Sequence, residues 1–218
     1  HSRWHLTAAG RYNHALVRNT DGINPSGARS LGGENRIAKF NPALGLSFSP
    51  DSKTQLWANA SQGNRAPSSI ELGCANPLQP CRLPNALQGD PPLKQVVTRS
   101  FELGARGRED GVSWSATAFR ADSHDDILFV AAPTAAQFGY FKNVTLTRRE
   151  GVEFGANTGN SRWQLAAHYS RVDATYQSEE LLTGTANSSN STNVTGNGAA
   201  LAGNIRVRPG DQIGRAHV

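Results

Sequence analysis

Few residues in this chain of 218 are spaced for chemistry. Cys74 and Cys81 are separated by six residues, with Pro77 and Pro80 stiffening the path between them. Such a pair suits a loop-closing disulfide or half of a metal site. Zinc would need further thiolate or imidazole ligands nearby, and the sequence supplies none. His124-Asp125-Asp126 offers nitrogen and oxygen donors for a cation, but no calcium-loop spacing accompanies it. A solvated strand end is the commoner explanation of such a triplet. The six histidines are scattered at 1, 5, 14, 124, 168 and 217, without the HExxH spacing. No Gly-x-Ser-x-Gly elbow, P-loop or dinucleotide glycine pattern is present. Neither catalysis, a cofactor nor a metal site is therefore expected. Asn187, Asn190 and Asn193 each open a glycosylation sequon within a Ser/Thr/Asn/Gly-rich stretch from Thr183 to Ala200. That composition reads as a low-complexity loop.

The elements that must hold these residues are constrained by composition. Hydrophobic residues make up 37% of the chain and charged ones 18%, against about 25% charged in soluble domains. The longest apolar run, Ile127 to Ala132, has six residues, whereas a spanning helix needs about 20. Two cysteines are too few for a disulfide-rich scaffold. The net charge is +5, with 22 basic residues spread along the whole chain. Nucleic-acid binders gather such residues on one face, so no nucleic-acid partner is expected. Attraction to anionic headgroups or to an anionic solute is the milder reading. The chain opens on His1, contains no methionine and shows no signal segment, and is read as a processed product or a fragment.

Period-2 alternation predicts seven strands. Trp4, Leu6, Ala8, Gly10, Tyr12, His14 and Leu16 share one side of the first, and Phe40, Pro42, Leu44, Leu46 and Phe48 one side of the second. The others cover approximately 54–63, 97–107, 112–129, 140–158 and 163–176. Each is about ten residues or longer, the length of a tilted membrane-spanning strand rather than of the usual ~5–6 residue globular strand. The connections fall at 19–39, 50–53, 64–93, 108–111, 131–139, 158–161 and 177–206, so long loops and four-residue turns alternate. In an up-and-down sheet this puts tight turns at one end and long loops at the other, as in outer-membrane barrels. Cys74 and Cys81 then lie in a long outer loop. That is oxidising territory, which favours the disulfide; closing so small a loop contributes about 2–3 kcal/mol.

Trp4, Trp57, Trp114 and Trp163 all fall near the tight-turn end, which predicts a headgroup-level girdle. Trp57 departs from it in parity, falling with Asn59 and Ser61. Polar sets (Arg11 and Asn13; Glu102 and Arg106; Asn143, Thr145, Arg149 and Glu153) would line a lumen, and the alternate apolar sets would meet acyl chains. Arg148 and Glu150 break the outward parity, which calls for a bulge or a position above the bilayer.

On these residues the chain resembles the C-terminal barrel of TonB-dependent outer-membrane receptors. Gly63-Asn64-Arg65-Ala66-Pro67-Ser68-Ser69-Ile70-Glu71-Leu72 is similar to the family's Gly-Phe-Arg-Ala-Pro-Ser signature followed by Glu-Leu, with Asn64 in place of the usual aromatic. Ser100 to Gly104, Trp114 to Arg120 with Asp125-Asp126-Ile127, and Asn143 to Glu153 resemble successive barrel strands. Arg208-Pro209-Gly210-Asp211-Gln212-Ile213 resembles the opening of another. The expected architecture is thus all-β, an antiparallel up-and-down transmembrane β-barrel segment of about seven strands over residues 1–212. Residues 213–218 resemble the translation of a sequencing adapter and are expected to be a non-native tail.

The resemblance implies the Gram-negative outer membrane and active uptake of a scarce solute, most often a ferric siderophore, otherwise a cobalamin, haem or another metal chelate. It further implies contact with outer-membrane lipid and lipopolysaccharide, and coupling to the TonB complex through an N-terminal plug. It names no ligand-contacting residue. Two rivals share part of the pattern: a passive channel or a secretion or adhesion barrel, and a soluble secreted β-rich binding protein.

Overall fold

The structure is a computed structural model that describes residues 3–20, 22, 33–73, 81–82, 93–132, 135–183, 204–207, 209 and 213. Seven long antiparallel strands form one unclosed sheet: β1 (Trp4–Asn19), β2 (Gly33–Phe48), β3 (Thr54–Arg65), β5 (Val96–Glu109), β6 (Val112–Ala132), β7 (Ala135–Gly159) and β8 (Gln164–Tyr176). Each long strand pairs with the next long strand in sequence. A short helix α1 (Ser69–Gly73) and the two-residue β4 (Cys81–Arg82) lie between β3 and β5, with β4 paired to β7. A separate pair, β9 (Glu180–Thr183) and β10 (Asn204–Val207), follows β8. No helix among the described residues is long and apolar enough to cross a membrane.

The tight turns follow from side-chain chemistry. Asp51 Oδ1 accepts from the Lys53 and Thr54 amides at 2.8 and 2.7 Å. Asn160 Oδ1 likewise accepts from the Arg162 and Trp163 amides at 2.9 and 3.2 Å. Both are side-chain mimics of a backbone turn. Between β5 and β6, Asp110 and Gly111 both take positive φ, 48° and 78°, as a two-residue hairpin with the strands' own twist requires.

Cross-strand register puts apolar side chains in continuous rows on one face. One row reads Trp4, Phe48, Leu56, Ala105, Ala116, Phe154, Tyr169, and the next Leu6, Leu46, Ala58, Leu103, Ala118, Val152, ending in Arg171 on β8. Most of these large side chains are exposed, Leu103 by 64%. Among the described residues little hydrophobic core backs the sheet: Leu72, Leu93, Val96 and Ile127 form one small cluster, and Val144 and Tyr176 another that Ile213 joins. None of the described elements packs over the middle of the apolar face.

Three sequence expectations change. β2 begins at Gly33 rather than Phe40, so the first loop is shorter. The connection expected at 131–139 is instead strand: β6 and β7 pair as far as Ala132 and Ala135, with one irregularity at Ala131/Ala132, and the Phe129 and Phe141 rings meet edge-on at 5.0 Å. Cross-strand aromatic contact there sustains pairing that the weak alternation does not advertise. Lastly, the tryptophans split. Trp4, Trp114 and Trp163 are exposed near the turn end, while Trp57 shares the polar face with Asn59 and Glu102. Three of the four tryptophans therefore sit as the expected girdle requires. The β6–β7 register runs unbroken from Ser113↔Asn157 to His124↔Leu146, so no bulge accounts for Arg148 and Glu150.

Candidate solute-facing wall

The opposite face of the sheet is polar, and its side chains form hydrogen-bonded groups at successive heights. Nearest the turns, Trp57 Nε1 donates to Glu102 Oε1 at 3.0 Å and Arg106 Nε to Gln55 Oε1 at 2.9 Å, with the Arg106 guanidinium over the indole at 5.9 Å. The indole lies flat on Gly104, where any Cβ would overlap it. Glycine thus provides the seat that lets Trp57 turn its N–H to a carboxylate on the polar face.

Higher up, the β2–β3 ladder ends at Ala43↔Ser61 although both strands continue. Side-chain amides bridge the seam. Gln62 Nε2 donates to Phe40 O at 3.0 Å and Gln95 Nε2 to Ala38 O at 3.3 Å. Asn64 Oδ1 accepts from both Asn13 and Asn41, at 2.8 and 2.7 Å, and Asn64 Nδ2 donates to Gln95 Oε1 at 2.8 Å. Asn41 is buried, and its Oδ1 has no partner among the described residues. Asn64, the residue that departs from the family's aromatic, thus ties β1, β2 and the start of β5 together. Asn64→Ala should cost about 1–3 kcal/mol by leaving partly buried amides unpaired and should speed hydrogen exchange across residues 38–41. Unchanged exchange there would show that the amides do not hold the seam.

The signature segment has a physical account. Ser68 and Glu71 form a capping box at the start of α1: Ser68 N donates to Glu71 Oε2 at 2.7 Å and Glu71 N to Ser68 Oγ at 3.3 Å. Arg65 Nη1 adds an ion pair to the same carboxylate at 2.7 Å, while Pro67 and Leu72 are fully buried. Burial raises the Glu71 pKa more than any other single effect, but Arg65 and the Ser68 amide and hydroxyl together hold it below the ordinary glutamate value. A lowered folded pKa stabilises the segment fully above the unfolded value and ceases to do so as pH falls through the folded one. Protection of the α1 amides, corrected for intrinsic exchange, should therefore be flat from neutral pH to about 5 and fall below about 4. Glu71→Gln should abolish that dependence, and a pH-independent wild type would refute the capping role.

At the loop end, both carboxylates of His124-Asp125-Asp126 are engaged by neighbouring side chains. Asp125 takes positive φ (52°) and pairs with Lys94 at 3.2 Å, while its carbonyl accepts from Asn143 Nδ2 at 2.7 Å. Asp126, far from being a solvated strand end, is buried and accepts from Thr147 Oγ1 at 2.6 Å and Arg149 Nη2 at 3.3 Å. No cluster of three or more His, Cys, Asp or Glu among the described residues is placed to hold a metal. Cys74 lies outside the described residues. Cys81 opens β4, opposite Gly139.

Of the polar residues expected to line a lumen, Asn13, Glu102, Arg106, Asn143 and Arg149 all enter these groups. The amide seam escaped sequence reading. Only the unusual Asn64 signalled it.

A family model described as TonB dependent receptor-like, beta-barrel, matches residues 1–206. Comparison with curated proteins returns no match. Among solved structures the chain is similar to the copper transporter OprC (TM-score 0.63, 18% identity, 80% of this chain and 27% of that one). It is also similar to the FrpB iron transporter from Neisseria meningitidis, F3-3 variant (0.57, 17%, 80% and 24%). A third likeness is to the alcaligin outer membrane receptor FauA from Bordetella pertussis (0.54, 16%, 80% and 28%). The chain thus spans about a quarter of the length of each of these proteins, and at such identities the likeness is one of fold.

Proposed function

The chain belongs to the TonB-dependent receptor β-barrel family, and on that basis we propose that it forms part of the wall of a receptor for active uptake of a scarce solute, foremost a ferric siderophore or another metal chelate. The observation that carries this reading is the two-faced sheet, with continuous apolar rows on one side and hydrogen-bonded amides, carboxylates and guanidiniums on the other. A wall between hydrocarbon and a wet lumen needs both faces. Family members are outer-membrane receptors and transporters rather than enzymes, and the names of the similar structures speak of copper, iron and alcaligin. In this reading the apolar rows meet outer-membrane lipid and lipopolysaccharide. The polar groups face the solute path, and an N-terminal plug couples the barrel to the TonB complex. Cys74 and Cys81 would close an outer loop as a disulfide. Residues 213–218 would be an adapter-derived tail, which the coding DNA tests directly.

The test uses the complete receptor that contains this chain, expressed in Gram-negative cells with and without a working TonB complex. Uptake of radiolabelled ferric chelates should require TonB. Saturable, TonB-independent entry would favour the passive channel, and recovery of the receptor from buffer without detergent would favour the soluble binding protein.

A further inference from the structure

The seam between β2 and β3 divides the wall over its upper part. The β2–β3 ladder stops at Ala43↔Ser61, yet the flanking ladders run on, β1–β2 to Asn19↔Gly33 and β3–β5 to Arg65↔Val96. Pro42 accounts for the stop. It is the next residue of β2 and has no N–H to give. Backbone groups alternate between the two edges of a strand. The carbonyls of Phe40 and Ala38 accept from Gln62 and Gln95, on the β3 side, so Pro42, at the same parity, lacks its donor toward β3. The ladder to β1 passes Gly10↔Pro42 without a break. One residue thus unzips one edge of β2 and leaves the other whole.

We propose that the loop-end half of the β1–β2 hairpin, residues 10–19 and 33–42, is a hinged flap in the wall, with the side-chain amides as its latch. The inference rests on the wall reading above. Within the flap the ladder is complete, and Glu34 pairs with both Arg18 and Arg36, so it moves as one body. Gly10 and Pro42, paired at its foot, mark the hinge line. The latch consists of four side-chain hydrogen bonds: Gln62 to Phe40 O, Gln95 to Ala38 O, and Asn13 and Asn41 to Asn64. Each depends on a rotatable side chain, whereas a ladder holds through the backbone itself. The latch is also incomplete. The buried Asn41 Oδ1 has no partner among the described residues, which disfavours the closed state against an open one where water reaches that oxygen. Arg11 and Lys39, on the flap's inner side, make no hydrogen bond or ion pair among the described residues, so no charge pair adds to the latch. Val17 rests on the cluster of Leu72, Leu93, Val96 and Ile127, a contact without directional bonds. At the foot of the seam, Ala8, Pro42, Leu44, Gln62, Arg99 and Phe101 help to line a cavity of about 470 Å³. Gln62 belongs to both the cavity and the latch, so its side chain has room to swing when it lets go. A released flap widens the wall between β2 and β3 at the end where the loops meet the solute path.

The experiment uses the complete receptor in phosphatidylcholine nanodiscs, carrying Cys74→Ser and Cys81→Ser, with insertion checked first by its heat-modifiable gel shift. Spin labels on Leu16→Cys and Arg99→Cys, both exposed positions, report the flap against β5 by double electron–electron resonance. Labels on Arg99→Cys and Arg171→Cys report the unbroken ladders from β5 to β8. The flap pair should show two distances, the second longer by one strand spacing, ~5 Å, and the control pair one. Gln62→Ala/Gln95→Ala should raise the longer component about ten-fold by removing half of the latch. Pro42→Val, which restores the missing donor, should nearly abolish it. A single distance for the flap pair in the inserted receptor and in its glutamine variant overturns the flap and leaves the wall reading standing. Equal broadening of the control pair would mean that the whole sheet breathes, which overturns the flap as well. A receptor that does not insert overturns the membrane reading, and the flap falls with it.

Discussion

Leu103→Arg should destabilise the receptor in a bilayer by about 2–4 kcal/mol, whereas Ser61→Arg, on the other face of the neighbouring strand, should change stability by less than about 1 kcal/mol. Leu103 lies between Ala58 and Ala118 in the middle of the apolar rows. Its neighbours along its own strand on that face are Phe101 and Ala105, which pair with Ala60 and Leu56. An arginine would have to thin the bilayer or snorkel past Phe101. Ser61 sits between Ala43 and Ser100 on the polar face and is exposed, so the same charge there remains in water. Urea unfolding of the complete receptor from lipid vesicles measures both substitutions. Similar losses for the two would mean that the faces do not meet different solvents, and the membrane wall would fall with them.

The same two-solvent logic explains which parts of the fold could be read from sequence. Within the apolar rows alternation is plain: Phe40, Pro42, Leu44, Leu46 and Phe48 on one side, Asn41, Ala43, Gly45 and Ser47 on the other. Asp51, Asn160 and the Asp110-Gly111 pair marked their turns because each turn needs that chemistry. Above the rows the rule inverts. In residues 33–39 the apolar Ile37 is buried on the polar side while Glu34 and Arg36 stand on the other, Glu34 pairing with both Arg36 and Arg18. A pattern of apolar side chains on the outward parity loses the strand where that parity turns polar, so from sequence β2 starts only at Phe40. Arg148 and Glu150 appeared as faults for the same reason, although the backbone beneath them is regular. The amide seam was harder still. Asn13, Asn41, Asn64 and Gln95 are remote in sequence and carry no periodic signal. Their meeting depends on the ladder between β2 and β3 ending at Ala43↔Ser61.

Asp126 tests whether the loop-end hairpin of β6 and β7 is held by packing or by one carboxylate. Its Oδ2 accepts from the fully buried Thr147 hydroxyl and from Arg149, and its Oδ1 from the Ile127 amide at 3.0 Å. Asp126→Ala removes one acceptor and strands several donors, so it should cost about 2–4 kcal/mol. Asp126→Asn keeps an oxygen but lowers the acceptor's charge, and should cost less than the alanine. Thr147→Val alone empties only one of the carboxylate's bonds, at about 1 kcal/mol. Combined with Asp126→Ala it should add little, because the hydroxyl it removes is one that the first substitution had already left unpaired. The double-mutant cycle should therefore show a coupling of about 1 kcal/mol or more. Thermal unfolding of the complete receptor gives the four stabilities, and hydrogen exchange localises the change to residues 126–149. Strict additivity would mean that the hydroxyl and the carboxylate act independently, leaving the apolar contacts of Ile127 and Val144 to hold the hairpin.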